Sequence, residues 1–217
     1  MRIAVVNWTS RHAGGIETYV GRVAEALAGH GHQVFFLHEQ DVPTDRPAIA
    51  GIQRFESASV ETSSQAAAIG ALAAWRPDIA FVQRINNPEV ERSLLDSVPA
   101  VYVAHDYLGL CISGSRSHRA RGDRVCHERF DAGCLVRFFP CGCGGRSPLT
   151  MWRDFQRQSA VLDRLRGYHS VVCFSDQMRH RFLQQGFAED RVHVVPLLED
   201  APEPRSEEHT SELQSPY

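Results

Sequence analysis

Apolar positions along this chain follow two rhythms, and the first 38 residues show both. Arg2-Ile3-Ala4-Val5-Val6-Asn7-Trp8 is a nearly continuous apolar run, the pattern of a strand buried on both faces. Ile16, Tyr19, Val20, Val23, Ala24, Leu27 and Ala28 then recur at the spacing of one buried helical face. Gly29-His30-Gly31-His32 stops that helix, and Gln33-Val34-Phe35-Phe36-Leu37 predicts a second strand. A βαβ unit opens the chain, with Gly14-Gly15 in the turn from strand to helix.

The alternation continues downstream. Asp41 to Gly51 is rich in Pro and Asp and reads as a loop before a short strand at Ile52-Gln53-Arg54-Phe55. Ala66 to Trp75 predicts a helix ended by Pro77-Asp78, Ile79-Ala80-Phe81-Val82-Gln83 a strand, Asn87 to Val98 a helix starting near Pro88, and Ala100-Val101-Tyr102-Val103-Ala104 a further strand. After a Cys- and Arg-rich insertion at 107–150 come a helix over Met151 to Arg166, a strand at Ser170-Val171-Val172-Cys173-Phe174, a helix over Gln177 to Gln185, and a strand at Arg191 to Val195. Together they predict an α/β fold: a Rossmann-like parallel sheet with helices on both faces.

Composition bounds this picture. With 217 residues, 43% hydrophobic and 23% charged, the chain can bury one sizeable core, and we expect one domain over residues 1–204. A formal net charge of -3 argues against nucleic acid as a partner. No stretch approaches the roughly 18 apolar residues that span a bilayer, and Met1-Arg2 runs straight into a strand where a signal peptide would have its apolar stretch. A cytoplasmic protein is the expectation. All 23 basic residues are Arg, which reads as coding bias. The run from Arg205 to Ser215 is polar and aperiodic, as a disordered terminus would be, but it also resembles the in-frame translation of a common sequencing adapter. We therefore expect 205–217 to be an artefact and the natural sequence to be cut off near Pro204.

Candidate chemistry begins at Gly14 and Gly15, where a strand feeding a helix through Gly-Gly lets a ligand approach the backbone, phosphate most commonly. A tight turn alone would also use these glycines. No G-x-G-x-x-G can be read through Ala13-Gly14-Gly15-Ile16-Glu17-Thr18, which disfavours a nicotinamide enzyme. His105-Asp106 follows directly on a strand, and ligands of open parallel sheets bind beyond the carboxyl ends of strands. His105 is the candidate catalytic residue, and Asp106 either orients it or caps a turn. Arg84 and Asn86 also lie beyond a strand end and are candidates for lining an acceptor cleft.

Cys111, Cys126, Cys134, Cys141 and Cys143 fall within 33 residues. Such clustering in a cytosolic chain favours metal over disulfides, and Cys126, Cys134, Cys141 and Cys143 offer four thiolates for a structural zinc site. Their spacing is not a paired C-x2-C, and reduced thiols are the plain alternative. Cys173, in an apolar strand, reads as core. Arg116, His118, Arg119, Arg121 and Arg124 form a basic stretch suited either to solvent or to an anionic, lipid-linked acceptor at a membrane surface.

Gly14-Gly15-Ile16-Glu17-Thr18-Tyr19-Val20, then Ala24-Glu25-Ala26-Leu27-Ala28, then Gly31-His32-Gln33-Val34 resembles the opening of the GT-B glycosyltransferases of family 4, three separated elements agreeing in order and spacing. The resemblance implies the N-terminal, acceptor-side domain of a retaining, hexosyltransferase-type enzyme that moves a sugar from a nucleotide-diphosphate-sugar donor. It places His105 beside the donor sugar, and Gly14 and Gly15 near the diphosphate or the acceptor. No cofactor or metal is required for that chemistry. In the family a second domain holds most of the donor; none of it is present here, so this fragment alone is expected to be inactive. Pro196-Leu197-Leu198-Glu199-Asp200 departs from the Pro-Asn-Gly-Val-Asp usual at that junction. The acceptor, whether glycan, lipid-linked or small molecule, is left open, as are two other readings: a stand-alone nucleotide-binding or regulatory module, and a zinc-stabilised interaction module without catalysis.

Overall fold

The computed structural model describes residues 1–43, 45–122 and 124–197, so the tail at 205–217 and the junction at 198–200 lie outside the described residues. In chain order the strands are β1 (Arg2–Thr9), β2 (Gln33–Gln40), β3 (Glu56–Ser59), β4 (Ile79–Val82), β5 (Ala100–Ala104), β6 (Ser117–His118), β7 (Arg124–Val125), β8 (Ser170–Cys173) and β9 (Val192–Val194). The helices are α1 (Gly15–Gly29), α2 (Val60–Ser63), α3 (Gln65–Trp75), α4 (Pro88–Ser97), α5 (Gly133–Cys141), α6 (Pro148–Leu165) and α7 (Asp176–Gln184). Seven strands form one sheet in the order β3-β2-β1-β4-β5-β8-β9, every neighbouring pair parallel. This is the predicted Rossmann-like α/β fold.

The strand faces explain the two cores. Val5, Val34 and Phe36 meet Val20 and Ala24 of α1, together with Ile49 and Ile52 from the segment after β2. Ala4, Val6, Phe35, Leu37, Ala80 and Val82 point the other way, into a larger core closed by α3, α4, α6 and α7. Connections therefore leave β1 toward β2 on one face and return through β4 on the other. The sheet order reverses between β1 and β4, and in open α/β sheets that crevice is where ligands bind.

Helix starts follow local chemistry. Asn87 caps α4 through a bond from the Glu89 N–H at 2.9 Å, with Pro88 at the first position. Ser175 caps α7 through Met178 N–H at 3.3 Å.

Two expectations need correction. The strand predicted at Ile52 to Phe55 is a single 3-10 turn, Ile52–Arg54, and the strand begins at Glu56. Gly51, with φ of 75°, turns the chain so that Ile52 drops into the α1 core, which an extended run could not do. The insertion, to which the sequence assigns no helix or strand, also carries elements of its own. It carries α5 and the antiparallel β6–β7 ribbon, and Leu110, Ile112, Phe130 and Phe138 bury themselves in the larger core.

Candidate active site

Beyond the paired Val6 and Val82, the next residues on β1 and after β4 are Asn7 and Gln83, with Gln83 N–H donating to Val6 O at 2.8 Å. Both side chains are buried. Asn7 Nδ2 donates to Thr9 O at 2.9 Å, but Asn7 Oδ1 and Gln83 Nε2 have no partner among the described residues. An unpaired buried amide atom costs about 1–3 kcal/mol, so two of them at a sheet crevice point to bonds completed by a ligand.

Gln83 Oε1 lies 2.8 Å from His105 Nε2. An amide oxygen only accepts, so Nε2 carries the proton and Nδ1 keeps a free lone pair. Tyr19 of α1 meets the His105 ring edge-on at 5.3 Å, and Phe174 lies 5.1 Å from His105 and 5.2 Å from Tyr19. Burial in this setting pushes the His105 pKa down to about 4; Asp106 and Glu17 pull it up, and Arg84 opposes them. His105 is therefore neutral at neutral pH, a hydrogen-bonding group and not a cation.

One step further along each segment, the side chains fall on the opposite face. Arg84 Nη1 stands 3.8 Å from Asp106 Oδ2. Asp106 Oδ1 accepts from Leu108 N–H at 2.9 Å, so Asp106 caps the turn after β5, and the ring of His105 is oriented by Gln83 instead. Arg84 and Asn86 line a cavity of about 480 Å³ with Tyr102, Arg157 and Arg164. The loop is pinned by Glu39, which accepts from the Asn86 and Asn87 N–H groups at 2.9 and 2.7 Å, and whose pKa burial raises. A larger cavity of about 800 Å³, lined by Val98, Pro99, His169 and Arg191, lies at the amino-terminal ends of β5, β8 and β9, away from this chemistry.

Gly14 precedes α1 in extended backbone, φ 170°, with no side chain capping the helix. A Cβ on Gly15 would meet nothing within 4 Å, and one on Gly14 only Glu17 Oε2 at 3.8 Å. Nothing within the described residues demands glycine here, and the approach to the first turn of α1 is open. Glu17 is buried beside it and accepts from Trp8 Nε1 at 3.2 Å.

The insertion's residues sort differently from expectation. All six cysteines are free, and among the described residues no three His, Cys, Asp or Glu side chains are placed to hold a metal ion. Cys141 turns into the core at the end of α5, while Cys134 and Cys143 pack against that core from its edge, and Cys143 stays close enough to Cys111, Cys126, Cys134 and Cys141 to feel their charge. Arg116 is buried: its guanidinium donates to Leu110 O at 2.9 Å, Cys126 O at 2.8 Å and Glu128 O at 2.9 Å. It ties the insertion together and is lost to any anion-binding role. The side chain of Arg121 lies outside the described residues; Arg119 and Arg124 are exposed and His118 half-buried.

The sequence profile of Glycosyltransferase Family 4 matches residues 13–197. The chain belongs to that family. Its fold is that of the N-terminal domain of a GT-B glycosyltransferase. Among solved structures, HepE of Anabaena in complex with UDP and glucose aligns with a TM-score of 0.50 at 14% identity, over 91% of this chain and 45% of HepE. The lipopolysaccharide outer core galactosyltransferase WaaB aligns at 0.46 and 12% identity, over 90% and 45% of the two chains. A UDP-GlcNAc 2-epimerase from Neisseria meningitidis aligns at 0.49 and 9% identity, over 89% and 45%. The present chain thus spans about 45% of the length of these structures. No curated protein sequence matches it.

This family 4 domain brings His105 together with Gln83, Asn7, Tyr19 and Phe174, four residues the sequence reading did not single out. Asn7 and Gln83 carried one signal, as amide residues closing apolar strands.

Proposed function

We propose that this chain is the acceptor-side domain of a retaining, hexosyltransferase-type glycosyltransferase, acting with a nucleotide-diphosphate-sugar donor. The observation that carries the reading is the cluster at the sheet reversal: a neutral His105 fixed by Gln83, with unpaired amide atoms on Gln83 and Asn7 beside it. In this reading the free Nδ1 of His105 accepts a hydroxyl proton of the donor sugar, and the orphaned amide atoms bind other hydroxyls. Sugars suit such a site because each hydroxyl both donates and accepts.

Departure of a nucleoside diphosphate leaves negative charge on its oxygens and positive character at the anomeric carbon, and catalysis stabilises both as they form. His105, being neutral, orients the sugar without repelling that carbon. The open backbone at Gly14 and Gly15 offers N–H groups to the diphosphate or the acceptor, with the positive end of α1 behind them. The cavity lined by Arg84 and Asn86 takes the acceptor. No cofactor or metal enters these steps. The anchoring of the nucleotide is assigned to a second domain, as in the family.

The test is release of nucleoside diphosphate from a panel of nucleotide sugars by the protein that carries this domain, with the anomeric configuration of the transferred sugar read by NMR. Retention from at least one donor supports the reading. Absence of turnover across the panel, or inversion, contradicts it.

A further inference from the structure

Large apolar side chains that stay exposed gather on the insertion and the start of α6: Val125, Val136, Phe139, Leu149 and Trp152 are five of the eight such residues among those described. Helix α5 is apolar on two sides. Phe138 and Cys141 face the core, while Ala132, Val136, Phe139 and Pro140 face outward, with Val136 at 78% and Phe139 at 44% exposure. Helix α6 packs against α5 and presents Leu149 and Trp152 from its first turns, at 74% and 48% exposure. Phe139 rests edge-on against Phe138 and Trp152 stacks on Phe155, so each is anchored on one side, yet all four side chains leave much of their apolar surface in solvent on two adjoining helices, and apolar surface of that kind marks an interaction site.

Charge is segregated onto the same region. Between residues 116 and 157 the chain places nine arginines against four acids, although its formal net charge is -3. Arg119, Arg124, Arg129, Arg146 and Arg153 are exposed, and none pairs with a carboxylate among the described residues. Of the acids in this stretch, Glu128 and Asp131 are both taken by Arg137, at 3.6 and 3.4 Å, and Asp154, next to Arg153, is half-buried in α6.

Apolar tips interleaved with unpaired guanidinium groups, as in Trp152-Arg153, match a boundary where hydrocarbon begins a few ångströms below a layer of phosphates. We propose that the outward face of α5 and the start of α6 dock on a membrane surface rich in anionic lipid. Val136, Phe139, Leu149 and Trp152 enter the acyl boundary while the arginines meet the headgroup phosphates. This is surface binding, since no helix among the described residues is long and apolar enough to cross a membrane. The proposal does not depend on the sugar chemistry.

The test is co-sedimentation of the 217-residue chain with vesicles of phosphatidylcholine, with and without phosphatidylglycerol, in the absence of any nucleotide sugar. Binding is expected to be about tenfold stronger to the anionic vesicles and to weaken with salt. The double variant Val136→Asp/Leu149→Asp should lose vesicle binding, and Arg146→Gln/Arg153→Gln should lose the anionic preference, both with unchanged circular dichroism because all four side chains are exposed. Equal, weak binding to both vesicle types overturns the proposal. So does persistence of binding in the double apolar variant. If a longer protein carrying this chain shields Trp152 from iodide quenching and ignores vesicles, the face is a protein interface and the membrane assignment falls, leaving the glycosyltransferase reading untouched.

Discussion

Gln83 Oε1 and His105 Nε2 are 2.8 Å apart, and this bond reaches across two neighbouring strand ends, β4 and β5, to set which nitrogen of His105 is bare. With Tyr19 and Phe174 against the ring, His105 stays unprotonated well below its usual range.

The His105 ring should therefore titrate near pH 4, and not near 6.5, in an NMR pH series. The sign of the stability effect follows. Between those values the unfolded chain binds more protons at this position than the folded one, so His105 contributes no penalty above pH 6.5 and destabilises progressively as pH falls toward 4. Allowing for its partial exposure, the loss is on the order of 2 kcal/mol. His105→Gln should flatten that part of the denaturation profile. A ring midpoint near 6.5 would contradict the enclosure.

Gly15 and Gly21 should separate function from packing. A Cβ at Gly15 meets nothing, so Gly15→Ala is expected to fold with unchanged or slightly raised melting temperature, yet to lower turnover of the complete protein about tenfold by crowding the ligand. At Gly21 a Cβ would stand 2.8 Å from Ala50 O and 3.1 Å from Ile49 Cγ2. Gly21→Ala should lower stability by about 1–3 kcal/mol in urea unfolding. Full activity in Gly15→Ala would remove the ligand from the Gly-Gly turn.

Glu91 is a buried carboxylate held by Tyr168 Oη at 2.8 Å and by Arg164. Removing one partner leaves charge poorly compensated. Tyr168→Phe should cost about 1–2 kcal/mol and Arg164→Met about 3 kcal/mol or more, read from denaturant midpoints. If Arg164→Met proves neutral, the Arg164–Glu91 pair adds nothing to the stability of the fold.

The thiols offer a chemical check. Cys143 is only half-buried, but burial first and the neighbouring cysteines second push its pKa up to about 11, and burial pushes Cys173 to about 12. Since the thiolate is the reacting species, Cys143 should alkylate with iodoacetamide far more slowly at pH 8 than an ordinary exposed thiol, and Cys173 only on unfolding. Rapid labelling of Cys143 at pH 8 would refute this.

What the sequence made legible follows from where the apolar signal was strong. β1, α1, β2 and β5 announce themselves through runs and periodicity, because each buries a continuous face, and α3 through its run of alanines ended by Pro77-Asp78. β3 is invisible in that sense: Glu56-Ser57-Ala58-Ser59 is an edge strand with little to bury, so the apolar Ile52 and Phe55 nearby attracted the prediction instead. α5 was hidden by its glycine, proline and cysteines, and its inward Phe138 and outward Phe139 sit next to each other in sequence. At the site, His105, Arg84 and Asn86 were found as residues beyond strand ends. Gln83 and Asn7 were not, since their importance lies in two partners left unmet after strands pair, a fact of register that one segment cannot reveal.

The decisive measurement is the kinetics of nucleotide-sugar turnover by the protein carrying this domain, wild type against His105→Ala, with melting temperatures measured in parallel. If His105 faces the donor sugar, kcat falls about 100-fold while the melting temperature is essentially preserved. Turnover unchanged by His105→Ala in a folded protein would contradict the placement of the sugar at the β1–β4 crevice.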